Sequence, residues 1–195
     1  MPETDRRTAL LDATLQLIAS GGLRAVTHRA VEQAVGLPHG STTYYFKTRD
    51  QLINAAVDRL AELDHERVDA IAHAVTMALA RRTERLEPNL DAIGLALSAW
   101  LEEERGLQIA RFELFLEGTR RPELRDALAR CHASFSRVAE PLALAAGSDD
   151  PARDGRLLVA LVNGVLMDQI TEPAENFATE IAPVAVRKII AAMAA

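Results

Sequence analysis

Residues 27–46 read THRAVEQAVGLPHGSTTYYF. Thr27 stands where a helix N-cap belongs, and a short helix follows to about Val35. Gly36 interrupts it, at a tight turn that wants positive φ and no Cβ. Pro38 suits the first turn of a third short helix, which reaches about Tyr45. Val31, Val35 and Leu37 supply the apolar contacts that hold this pair of helices against a neighbour.

That neighbour lies upstream. Leu10, Leu11, Leu15, Leu17 and Ile18 recur at helical spacing and predict a first helix over residues 5–20, ended by Gly21-Gly22. Downstream, Thr48-Arg49-Asp50-Gln51 reads as a capping box. It opens a fourth helix that runs at least to His65 and on toward Arg81. Further helices are predicted over 88–104, 106–119, 122–146, 152–171 and 183–194, with Pro122 and Pro151 at helix starts and Asp150 as a cap. No strand pattern competes, so the fold class is all-α. It comprises a three-helix head, residues 1–47, joined by the fourth helix to a larger helical domain, residues 48–195.

Charge is distributed unevenly between these parts. The whole chain carries −6, yet residues 1–50 hold six Lys/Arg against five Asp/Glu. All the excess acid therefore lies in the body. An acidic body does not bind DNA by itself, but it can carry a small reading head that is not acidic. In a helix-turn-helix the second short helix enters the major groove. Its outward residues here are His39, Ser41, Thr42, Thr43, Tyr44 and Tyr45, and Gly40 lets the backbone approach a phosphate. Small hydroxyls reach base edges, and Tyr hydroxyls suit phosphates.

The run GLPHGSTTYYFKTRDQL, residues 36–52, resembles the signature of TetR-family repressors. The glycine turn, the paired aromatics, the Phe-Lys step and the capped fourth helix all stand at the family's spacing. The resemblance extends from Thr8 to about Leu60; beyond that only length and helix layout agree. It implies that Thr27 caps the second helix and donates to a phosphate. It also implies that Arg29 contacts phosphate or base, that His39, Thr42, Thr43 and Tyr45 face the groove, and that Tyr44 and Lys47 clamp phosphates. Arg49 adds another such contact, and Phe46 belongs to the core. Two residues depart from the family pattern. Glu32 replaces a small residue and is expected to reach the edge of the helix pair or meet a basic side chain. His39 replaces the usual Lys or small residue, which leaves that phosphate contact expected to be weak or pH-sensitive.

The body is larger than a dimerisation platform requires, which fits a ligand pocket between helices. Candidate lining residues interrupt apolar stripes with polar or aromatic groups: Met77, Trp100, Arg111, Phe112, Phe115, Asn163 and Met167. Asn163 interrupts the apolar run Leu157–Met167, and Gly164 beside it suggests a helix packed closely there.

The sequence-level expectation is thus a cytoplasmic, ligand-responsive transcriptional repressor, binding a near-palindromic operator as a homodimer and released by a small-molecule effector. Neither cofactor, metal nor membrane is called for. The alternatives are an all-helical enzyme or an adaptor without DNA-binding activity. Glu62-Leu63-Asp64-His65 has the Glu-x-x-His spacing of di-iron bundles, but no second copy exists. Cys131 is the only cysteine, so no intrachain disulfide forms, and it is expected as a buried hydrophobe.

Overall fold

A computed structural model describes residues 3–80 and 87–193, with side chains placed except at residues 3–4, 69–80 and 87–89. It contains eight α-helices among the described residues: α1 (Glu3–Gly21), α2 (His28–Val35), α3 (Ser41–Tyr45), α4 (Arg49–Ala80), α5 (Glu87–Gly118), α6 (Arg125–Ala145), α7 (Pro151–Thr171) and α8 (Ala182–Ala191). Short 3-10 turns at Leu23–Ala25 and Pro122–Leu124 and a π turn at Phe177–Ile181 complete them. The chain forms two compact units, Met1–Leu63 with Gly106–Cys131, and Asp64–Arg105 with His132–Ala195.

In the first unit, α1 buries Leu10, Leu11, Leu15 and Ile18 against Val26, Val31, Phe46, Leu52, Ile53 and Leu60. This is the stripe read from the sequence, and burial of such side chains is the main stabilising term. Polar ties fix the helices around it. Arg59 of α4 pairs with Asp12 of α1 at 2.9 Å, and Arg121 pairs with Asp50 at 2.8 Å. Cys131 is fully buried in this unit.

The second unit has its own core of Leu142, Ala143, Leu158, Val186, Ile189 and Ile190. Two glycines allow close helix approach. A Cβ on Gly94 of α5 would lie 2.6 Å from the Pro183 Cα of α8, and one on Gly155 of α7 would lie 2.9 Å from the Glu140 nitrogen of α6. Arg105 donates to the carbonyls of Gln169 and Ile170, the latter at 2.7 Å, satisfying groups that the end of α7 leaves without helical partners.

Several boundaries differ from expectation. The predicted helices 88–104 and 106–119 are one element, α5, kinked where Glu104 leaves helical geometry (φ −125°, ψ 28°). Pro38 lies outside α3, which starts at Ser41 after Gly40 in the left-handed region (φ 92°). Gly36 is left-handed as expected (φ 70°).

Candidate nucleic-acid interface and the cavity of the second unit

α3 has five residues, too few to be stable alone. Its placement depends on what holds it from behind. The Glu32 carboxylate, only 4% exposed, does this. One of its oxygens, Oε1, accepts the backbone N–H of Gly40 at 3.0 Å and of Thr42 at 2.9 Å. Those are N–H groups at the start of α3, which the helix itself cannot satisfy. A negative charge there is further favoured by the helix dipole. Glu32 was expected to reach the edge of the helix pair or to meet a basic side chain, and it does neither. Two charge-assisted bonds offset its desolvation instead. A second tie runs between a His28 ring nitrogen and the Phe46 carbonyl at 2.8 Å.

With that backing, α3 divides into an inner and an outer side. Thr43 and Tyr44 point outward, Tyr44 being 66% exposed, and Lys47 follows them, exposed. Arg29 and His39 are exposed too. Thr27 is exposed at the N-cap of α2, where its Oγ1 accepts the Ala30 N–H at 3.1 Å. Ser41 is half-buried and donates to the Pro38 carbonyl at 2.6 Å. Tyr45 is half-buried against the first core, its ring edge-on to Tyr44 with centroids 4.9 Å apart.

Two expectations are corrected. Thr42 does not face outward: it is fully buried, and its Oγ1 lies 3.4 Å from the His28 carbonyl it donates to. A one-turn helix must give one face to its support, and position 42 falls on that face with Phe46 four residues on. Arg49 is committed inward as well. Its Nε donates to the Val26 carbonyl at 2.8 Å, and a second nitrogen donates to that of Leu23. The expected capping box is present, with Gln51 N–H donating to Thr48 Oγ1 at 3.1 Å. Arg7 lies over the Phe46 ring, 5.5 Å from its centroid. Glu62 and His65 have separate partners, Arg59 and Arg137.

The second unit holds a partly open cavity of about 180 Å³ among α4 to α8, with Val68, Leu97, Trp100, Phe135, Val162 and Ile190 in its wall. Trp100 and Asn163 line it, as expected. Arg111, Phe112 and Phe115 do not. They lie beyond the kink of α5, in the first unit, where Arg111 is buried and donates to Gln108 Oε1 and Phe115 packs on the first core. Met167 is half-buried on α7 without reaching the cavity wall. Met77 falls outside the described side chains.

Trp100 also has a polar connection. Its Nε1 donates to Glu104 at 2.8 Å, and Glu104 accepts from Arg67 Nε of α4 at 3.1 Å. Glu104 holds the Arg67 guanidinium above its ordinary pKa through its hydrogen bond.

Comparison with known proteins bears on both regions. Residues 10–56 match the family model described as bacterial regulatory proteins, tetR family, and residues 90–195 match the tetracyclin repressor-like C-terminal domain. The transcriptional repressor KstR of Mycolicibacterium smegmatis is 32% identical over 84 residues, a match that spans 43% of this chain but only 39% of that protein. A TetR-family member from Streptomyces coelicolor A3 superimposes with a TM-score of 0.67 at 28% identity, over 96% of this chain and 98% of that one. The multidrug binding protein EbrR complexed with ethidium gives 0.68 at 26% identity, over 96% and 99%.

Proposed function

The chain belongs to the TetR family of bacterial regulators, and from that premise we propose that it is a ligand-responsive transcriptional repressor acting in the cytoplasm as a homodimer on a near-palindromic operator. The observation that carries this reading is α3. A short helix held from behind by Glu32 presents Thr43, Tyr44 and Lys47 outward together. The functional division is a reading head, residues 1–47, and an effector-binding and dimerisation body, residues 48–195. Within the head, Thr43 and Tyr45 carry base and groove contacts, and His39, Gly40 and Ser41 approach the backbone. Thr27, Arg29, Tyr44 and Lys47 contact phosphate. Lys47→Ala should lower affinity for all DNA sequences and flatten the dependence of log K on log salt by about one. Thr43→Val should instead change sequence preference. Binding isotherms on operator and random DNA at several salt concentrations check both; the reverse pattern would mean that α3 is oriented otherwise.

One recognition helix reads too few base pairs to find a site, so two heads are needed. α7 offers the surface for a second copy. Leu157 and Leu161 are 51% and 48% exposed, Gly164 follows on the same face, and Val184 of α8 is exposed too. A Cβ on Gly164 would meet nothing within 4 Å in the protomer. The close helix expected at Gly164 is therefore assigned to the partner. Gly164→Leu should fold normally yet raise the dimer dissociation constant at least tenfold by sedimentation. An unchanged constant would place the interface elsewhere.

The switch is assigned to α4, unbroken from Arg49 to Ala80. A small molecule in the cavity reaches it through Trp100, Glu104 and Arg67. EbrR, a structural relative, is a multidrug binding protein, which supports a small-molecule effector here. A few ångström of change in head spacing breaks phosphate contacts, because half-sites stand about 34–36 Å apart. By linkage the operator weakens effector binding by the same factor, ordinarily about 1–3 kcal/mol. Measuring effector affinity with and without operator tests this, and equal affinities would refute it. In Arg67→Ala each ligand should still bind, with the coupling reduced.

A further inference from the structure

The cavity wall has an unusual chemical uniformity. Among the described residues that line it, Asn163 is the one amide, and there is no Lys, Arg, His, Asp or Glu. Trp100 presents its ring, because its Nε1–H is already given to Glu104. Phe135 stands beside it, with ring centroids 6.1 Å apart and planes tilted by 38°. The remaining described lining residues are aliphatic. The Asn163 amide has no hydrogen-bond partner among the described residues.

An ionised ligand group in such a site would give up water and meet no countercharge among the described lining residues, which is strongly unfavourable. A neutral apolar molecule loses nothing by the same transfer. The volume sets its scale: an apolar cavity of about 150 Å³ takes benzene, and this one is about 180 Å³. From these observations we propose that the cavity binds a small uncharged molecule, a hydrocarbon skeleton of one ring or its aliphatic equivalent. The ligand carries a single hydrogen-bonding group that meets Asn163. The proposal rests on the reading of this cavity as the effector site, and it narrows the effector to neutral apolar compounds rather than organic cations or carboxylates.

The test is a matched series on one skeleton: phenylpropanol, propylbenzene, phenylpropanoate and phenylpropylammonium. Binding to the full-length protein is read by calorimetry and by the emission of Trp100, the only tryptophan in the chain. Phenylpropanol and propylbenzene should bind and shift the emission, and each charged compound should bind at least tenfold more weakly. Asn163→Leu should weaken phenylpropanol about two- to tenfold, the range of one net hydrogen bond, and leave propylbenzene unchanged or tighter. Should that variant lose its fold by circular dichroism, Val162→Phe takes its place. Its ring occupies the cavity and should weaken both neutral compounds at least tenfold. Charged compounds binding as well as the alcohol, or no binding by either neutral compound, would overturn the proposal. Release of operator DNA is scored separately. Neutral compounds that bind with the expected ranking but leave the operator bound would uphold the ligand chemistry and refute the effector reading.

Discussion

Glu32→Leu should destabilise the protein by about 2–4 kcal/mol, because it leaves two N–H groups at the start of α3 without an acceptor. Each such orphan costs about 1–3 kcal/mol, and removing the buried charge returns part of the sum. Glu32→Gln should cost only about 1 kcal/mol. Both N–H groups bond the same oxygen, Oε1, so an amide oxygen in that place can accept both. What the amide loses is the interaction of a full charge with the helix dipole, about 0.3–1 kcal/mol. Denaturant titration of the three proteins gives the ranking. Operator binding, measured where all are folded, should fall for leucine by much more than for glutamine, because α3 loses its seat. If leucine and glutamine variants are equally stable, the carboxylate is not what holds the recognition helix.

Gly94→Ala should be destabilising by about 2 kcal/mol or more, although alanine is the better helix former. The added Cβ would sit 2.6 and 2.7 Å from the Pro183 Cα and N, backbone atoms that no rotamer change can move aside. Overpacking of this kind costs about 1–3 kcal/mol or more, and it outweighs the gain of about 1 kcal/mol from replacing a helical glycine. Because α5 and α8 both line the cavity, the strain should also lower affinity for its ligand. Gly106→Ala provides the control. Its Cβ would lie 3.7 Å from the Ala19 Cβ, an ordinary contact, and the change should stabilise α5 by up to about 1 kcal/mol. Thermal melts in opposite directions for the same substitution at two helical glycines would establish that backbone approach, not propensity, accounts for Gly94. A neutral or stabilising Gly94→Ala would mean that α8 can move away from α5.

Helix order and most ends were legible in the sequence because they are set locally. Thr27, Thr48 with Gln51, and Asp150 before Pro151 announce helix starts through caps that involve neighbours three residues away. Relations across the chain were less accessible. Glu32 reads as an awkward carboxylate until Gly40 and Thr42 are seen to bring their N–H groups to it. The available signal was a one-turn helix opened by glycine, with no side-chain cap of its own. Thr42 and Thr43 are chemically the same, and only the direction of support separates the inward residue from the outward one. The ligand candidates suffered from a different ambiguity. Polar interruptions of an apolar stripe mark Asn163, which lines the cavity, but also Arg111, which is buried in the first unit. Most of the cavity wall is plain aliphatic, and a leucine facing a void has the same sequence signature as one facing another leucine.

Cys131 is the only thiol in the chain and is fully buried. Buried thiols of this kind react slowly with labelling reagents. A single cysteine introduced at an exposed site of α2, such as Ala34→Cys, would then be the only position to take a spin label in the native protein. In a homodimer each molecule would carry two labels related by symmetry, one on each reading head. A single distance distribution, recorded without ligand, with ligand and with operator, would therefore report the head spacing directly, on a background that needs no cysteine removed.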